Sequence, residues 1–187
     1  MKATIACLLL LPILFFSCKK DGSSGQNGNL VNNPSFETTS HQPDPKGWKI
    51  TSLFPDSLGH HTPKFVADAP GGGGEWSLQL MPLWIPAEGF AETVVTGQSG
   101  TNIYLVSAWM KTIGWHGKLV FEQWRNGQKV HFKMKSDTAV AWKQLVFSDT
   151  LAILPTDTLK VHLTAGSTEV SAGIVRFDNI ILKKMNP

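Results

Sequence analysis

Cysteine is scarce in this chain: 187 residues hold two, Cys7 and Cys18. Cys7 lies in an apolar N-terminal stretch that reads as a cleaved leader, so the remaining chain can form no intramolecular disulfide. Its stability must then come from a hydrophobic core, with or without a hard metal ion. Long apolar runs are also missing. Ala3 to Ser17 carries no charge but falls short of the roughly 20 residues that cross a bilayer as a helix. Neither sign of charge dominates, since 17 Lys and Arg stand against 14 Asp and Glu. No cationic block suggests nucleic acid. The sequence contains no G-x-S-x-G elbow and no H-E-x-x-H helix. Gly71–Gly74 lacks the Lys-Ser/Thr and the following helix of a phosphate loop. His60 and His61 are neighbours on an extended chain and would point to opposite sides. Glu88, Glu92 and Glu122 could serve a glycosidase, which needs paired carboxylates, but nothing in the sequence pairs them.

At the N-terminus, Lys2 precedes LLLLPILFF, the charged and apolar parts of a secretory signal. The closing FFSC resembles the lipobox of bacterial lipoproteins, with Phe15 where Leu is usual. That resemblance implies cleavage before Cys18 and diacylglycerol on its thiol. Several acyl chains anchor stably where one would not. Asp21 to Asn29 is Gly, Ser, Gln and Asn, the composition of a flexible tether. The expected organisation is a signal over 1–17, a lipidated tether over 18–28 and one domain over 29–187. The location implied is the cell envelope, as an outer-membrane lipoprotein facing the periplasm or the surface.

The domain itself lacks helical periodicity and reads as strands rich in Val, Ile, Phe and Trp, cut by Gly, Pro, Asn and Asp. About eleven segments qualify: Leu30–Val31, Gly47–Thr51, Phe65–Asp68, Ser77–Met81, Ala91–Thr96, Ile103–Thr112, Lys118–Arg125, Lys129–Met134, Lys143–Ser148, Thr158–Thr164 and Ile174–Lys183. They predict an all-β fold, a two-sheet antiparallel β-sandwich. Asn126-Gly127 predicts a two-residue type I′ hairpin. Strict pairing outward from that turn sets Glu122 opposite His131 and Phe121 opposite Phe132. Leu119, Phe121, Val130, Phe132 and Met134 then face the core, and Val120, Glu122, Trp124, Lys129, His131 and Lys133 face outward. In YLVSAWMKT, Tyr104, Val106, Ala108 and Met110 are expected inside, with Trp109 outside.

NLVNNPSFE, the Gly47-Trp48 pair, YLVSAWMKT, AWKQLVFS and VRFDNIILK occur in order over nearly the whole domain. Together they resemble carbohydrate-binding modules of the family 4/9, 16 and 22 type. The resemblance implies a galactose-binding-like jelly roll whose first and last strands lie side by side, often around structural calcium. It carries Glu37 and Asp178 over as ligands to that calcium, completed by carbonyls near Ser35 and around 72–75. Without metal, Glu37 would be a surface carboxylate and Asp178 the cap of a turn.

Sugars stack their C–H faces on flat aromatic rings and hydrogen-bond their hydroxyls to planar polar groups. Trp48 and Trp142 sit where the modules that this chain resembles have packing residues, and Trp76 begins a strand after Gly71–Gly74. Trp109 and Trp124 are expected to project from an outer face, Trp124 beside a cross-strand pair of Glu122 and His131. Trp84 and Trp115 sit in loops where no strand demands them, as further ligand contacts or as lids. The expected activity is non-catalytic binding of polysaccharide or oligosaccharide by a membrane-held lipoprotein, with no organic cofactor. The alternative is a structural or adhesion lipoprotein whose sandwich binds protein or cell-wall partners.

Overall fold

The computed structural model describes residues 28–37, 47–52, 63–81, 89–96, 99–166 and 173–185. The leader, Cys18 and most of the expected tether lie outside the described residues. The strands are β1 (Lys49–Ser52), β2 (Lys64–Val66), β3 (Ser77–Leu80), β4 (Gly89–Thr96), β5 (Gly100–Ile113), β6 (His116–Arg125), β7 (Gln128–Asp137), β8 (Lys143–Ile153), β9 (Thr158–Gly166) and β10 (Ile174–Met185). They form two five-stranded antiparallel sheets, ordered β1-β4-β9-β6-β7 and β2-β3-β10-β5-β8. The expected all-β sandwich is therefore the architecture. Leu30–Val31 is not a strand. Asn29 makes an isolated bridge to Lys183, and its side chain does the work of a ladder. The amide donates to Ile180 O at 3.0 Å, while Oδ1 accepts from Leu182 N at 3.0 Å and Val31 N at 3.2 Å. The first described segment is thus stitched to the last strand.

Alternation along the strands builds the core. Tyr104, Val106, Ala108 and Met110 of β5 are fully buried, as the pattern predicts, and so are Leu119 and Phe121 of β6 and Leu159, Val161 and Leu163 of β9. The Tyr104 and Phe121 rings meet in a tilted contact at 5.7 Å between the sheets, a favoured aromatic geometry. Gly117 on β6 is required by this packing, because a Cβ there would collide with Met110 Sδ. Phe36 closes one end of the core against Trp48 at 5.2 Å and Phe65 at 6.0 Å. The Trp48 indole donates to the carbonyls of Asn32 and Asn33.

The Asn126-Gly127 turn forms as expected, with φ of 50° and 76°. Beyond it the pairing departs from the expected register. Trp124 pairs with Lys129, but Gln123 then pairs with His131, Glu122 with Phe132 and Phe121 with Lys133. Val130 is the extra residue of a β-bulge, which turns over every side chain that follows it. Val130, Phe132 and Met134 are consequently not core residues: they are 48%, 57% and 55% exposed. The sides they vacate are taken by His131, Lys133 and Lys135, which reach across to β8. His131 Nε2 lies 2.7 Å from Asp149, and the Lys133 and Lys135 ammonium groups donate to the carbonyls of Ser148 and Val146 at 2.9 and 3.1 Å. The polar set wins the inner position because both β7 and β8 are sheet edges, where long cationic side chains find acceptors without being buried.

A second polar clasp holds the β8–β9 turn. The Asp157 side chain is fully buried and accepts from Arg125 Nε at 2.8 Å, Gln123 Nε2 at 2.7 Å and Leu154 N at 2.9 Å. The hydrogen bond from Arg125 outweighs the effect of burial and holds this carboxyl well below the usual aspartate range. Such a group stabilises the fold above its unfolded pKa near 3.9 and ceases to do so as it protonates. Asp157→Asn should lower Tm at pH 7. The deficit should narrow as the pH falls below about 4, as checked by thermal melts across pH.

Candidate functional site

The outer face of the β1-β4-β9-β6-β7 sheet has a polar centre with an aromatic rim. Inward-facing Leu159, Val161 and Leu163 leave Lys160, His162 and Thr164 of β9 pointing out. Register places Glu92 of β4 beside His162, and Glu122 of β6 beside Lys160. Glu122 is the hub. It accepts from the Trp124 indole at 2.6 Å and from Lys129 at 3.0 Å, and its Oε2 lies 3.0 Å from His162 Nε2. That same His162 nitrogen is 3.5 Å from Glu92, which also pairs with Lys160 at 3.1 Å. Burial would raise the Glu122 carboxyl, but the hydrogen bonds from Lys129 and Trp124 and the nearby charges of His162 and Lys129 hold it below the ordinary glutamate range.

Three rings border this centre. Trp124 is half-buried, with the Lys160 ammonium 4.4 Å from its ring centroid. Phe132 stands opposite Glu122 on β7, with the Lys129 ammonium 5.3 Å away. Phe90 of β4 lies 6.4 Å from the His162 ring. Neither Phe132 nor His162 was among the expected ligand contacts. His162 was readable from the alternation of TLKVHLTAG. Phe132 was hidden, because without the bulge it counts as core.

The other expected residues disperse. His131 is not beside Glu122; the Val130 bulge turns it to the inner side of the sheet, onto Asp149. Trp109 does lie on an outer face and is half-buried, but it belongs to the other sheet, between Asp178 and Gln144. It cannot meet one ligand together with Trp124. Trp115 is corrected outright: it is 1% exposed and packs so tightly on Gly173 that a Cβ there would overlap its ring. The β5–β6 turn folds it inward as a plug for the core. Trp84, His60, His61 and Glu88 lie outside the described residues. Trp48 is core as expected, whereas Trp142 is only half-buried and donates its indole N–H to Asp68 at 3.2 Å. Asp68 also binds Lys111 and Arg176.

Glu37 and Asp178 come together around Gly73 and Gly74. A Cβ on Gly73 would strike Asp178 Oδ2, and one on Gly74 would strike Glu37 Oε1. Glu37 Oε1 accepts from Glu75 N at 2.8 Å and Trp76 N at 2.9 Å. Asp178 is wholly buried and its Oδ2 has no hydrogen-bond partner. Burial, reinforced by the charge of Glu37 and opposed by the hydrogen bond from Asn179 N, pushes its carboxyl up to about 8. Phe36 and Asn179, the neighbours of the two acids, both have left-handed backbone, with φ of 53° and 48°. Such conformations are strained outside glycine and persist only where the surroundings impose them. Among the described residues no third acidic, His or Cys side chain joins this pair.

No family model matches the chain, and no curated protein matches it by sequence. Solved structures do match. The module TmCBM61, in complex with β-1,4-galactotriose, superposes with a TM-score of 0.57 at 16% identity, covering 84% of this chain and 99% of its own. The fold is a β-sandwich jelly roll. A family 16 carbohydrate-binding module matches this jelly roll with a TM-score of 0.56 at 16% identity, covering 82% and 99% of the two chains. A cyclase from Fischerella sp. TAU, in complex with 4-(1H-indol-3-yl)butan-2-one, has a TM-score of 0.60 at 13% identity, covering 84% and 97%. The jelly roll thus serves both binding modules and enzymes, and function has to be argued from the site.

Glu122→Ala removes the common acceptor of Trp124, Lys129 and His162. The domain should lose ~1.5–3 kcal/mol of stability, the range for hydrogen bonds to a charged group, as measured by urea unfolding.

Proposed function

We propose that the domain binds glycan chains without cleaving them, on the outer face of the β1-β4-β9-β6-β7 sheet. The observation that carries this reading is the grouping of Trp124 and Phe132 around the hydrogen-bonded Glu122, His162, Glu92 and Lys160. Rings and planar polar groups at one surface are what a pyranose needs, with an apolar face to stack on and donors and acceptors for its hydroxyls. The neighbouring binding modules support a saccharide ligand. Glu92 and Glu122 are the obvious pair for hydrolysis, yet each is matched by a lysine and both approach one histidine. A general acid needs a raised pKa, and that of Glu122 is lowered. Binding is the chemistry that fits.

Affinity electrophoresis across a polysaccharide panel tests this. A retarded band should appear for at least one glycan. Trp124→Ala and Phe132→Ala should each weaken binding about tenfold or more, while Trp109→Ala, on the opposite sheet, leaves it unchanged. Loss of binding in Trp109→Ala alone, or a flat panel with a protein recovered by pull-down, would overturn the proposal.

The proposal extends to calcium and to the membrane. A hard cation fits between Glu37 and Asp178: two carboxylates, one with an unpartnered buried oxygen, face a glycine loop that could add carbonyl donors. The ion would neutralise the buried Asp178 and the exposed Glu37 and tie the 71–75 loop to the last strand. EGTA should lower Tm by roughly 5–10 °C relative to protein held at calcium about 100 times its dissociation constant, and Asp178→Ala should abolish that difference. The FFSC motif supports lipidation at Cys18, with 18–28 as the tether of a domain over 29–187 in the cell envelope. Cys18→Ala should shift the protein from the membrane to the soluble fraction.

A further inference from the structure

Two of the three rings that border the Glu122 centre, Trp124 and Phe132, carry a lysine ammonium. Lys160 lies 4.4 Å from the Trp124 ring centroid and Lys129 lies 5.3 Å from that of Phe132. Neither lysine is placed by the ring alone, because Glu92 holds Lys160 at 3.1 Å and Glu122 holds Lys129 at 3.0 Å. An ammonium has three donors and a glutamate oxygen takes one of them. Side-chain exposures of 22% and 45% leave both groups in reach of a ligand. Among the described residues, the outward positions of these five strands also hold Lys49 and Lys118, against Glu92 and Glu122 as the only acids.

A neutral sugar stacking on either ring meets a cation already seated there. It must displace that cation without offering it a charged partner. An anionic sugar displaces the same cation but gives it a new charged partner: its ring covers the aromatic surface while its acidic substituent takes up the ammonium. We infer that the preferred ligand is an acidic polysaccharide, in which Lys129 and Lys160 bind carboxylate or sulfate groups of sugars stacked on Phe132 and Trp124. This rests on the glycan-binding reading above and names its substrate class. Carboxylate and sulfate share the chemistry used here, an exposed anion on a pyranose.

The test compares polygalacturonate, dextran sulfate and neutral galactan by affinity electrophoresis and calorimetry at low and high NaCl. At least one acidic polymer should bind more tightly than galactan, and the better of the two identifies the anion. Its affinity should fall about tenfold between 0.05 and 0.5 M NaCl, as expected for partly exposed ion pairs. Lys129→Gln/Lys160→Gln should remove most of that preference and flatten the salt dependence, with thermal melts confirming that the variant is folded. Lys64→Gln, on a strand of the other sheet, should change neither. Equal binding of neutral and acidic polymers without salt dependence, still lost in Phe132→Ala, would overturn the acidic preference and leave the platform standing. Failure of every polymer to bind would overturn both.

Discussion

At Val130 the pairing of β7 with β6 slips by one residue, and every later side chain of β7 faces the opposite way from strict alternation. The hairpin turn is the same in either register, so the choice is made by what each face of β7 would meet. In one register, Phe132 and Met134 would point at the margin between the sheets and the lysines would crowd the outer face. In the observed register His131 meets Asp149 and the two lysines meet the carbonyls of β8. Phe132 stands instead beside Glu122, on the face that carries Trp124. The composition of the site follows from that slip.

The centre of the site is held by charge. Glu122 is nearly buried on the outer face of its sheet, and such a carboxylate is tolerated only when its lone pairs are used. Trp124, Lys129 and His162 use them. The side chains are thereby fixed before any ligand arrives, so less freedom is lost on binding. Surrounded by these donors, the Glu122 carboxyl is held ionised.

Strand content, the sandwich, the β5 alternation and the 126–127 turn were legible in the sequence, because each depends on local pattern and on which side of a strand meets the core. The pairing of the first described segment with the last strand was also legible, through motifs at the two ends. The bulge was not. VHFKMK alternates equally well in both phases, and only the position of β7 at a sheet edge, opposite β8, decides between them. The errors at His131 and Phe132 are one error, propagated along the strand. Trp115 failed differently: a loop tryptophan looks exposed in sequence, and the small partner that receives it, Gly173, lies far along the chain. Trp109 and Trp124 both face outward as read, but the assignment of strands to sheets, a non-local property, puts them on opposite sides.

Lys133 and Lys135 have a consequence beyond the bulge. A strand at a sheet margin ordinarily offers its backbone to any passing chain, which is how sandwiches come to polymerise. Here ammonium groups already occupy the Ser148 and Val146 acceptors of β8. A second copy approaching along β7 would bring further lysines against these. The β7–β8 margin of the domain is therefore protected from edge-to-edge association with a second copy.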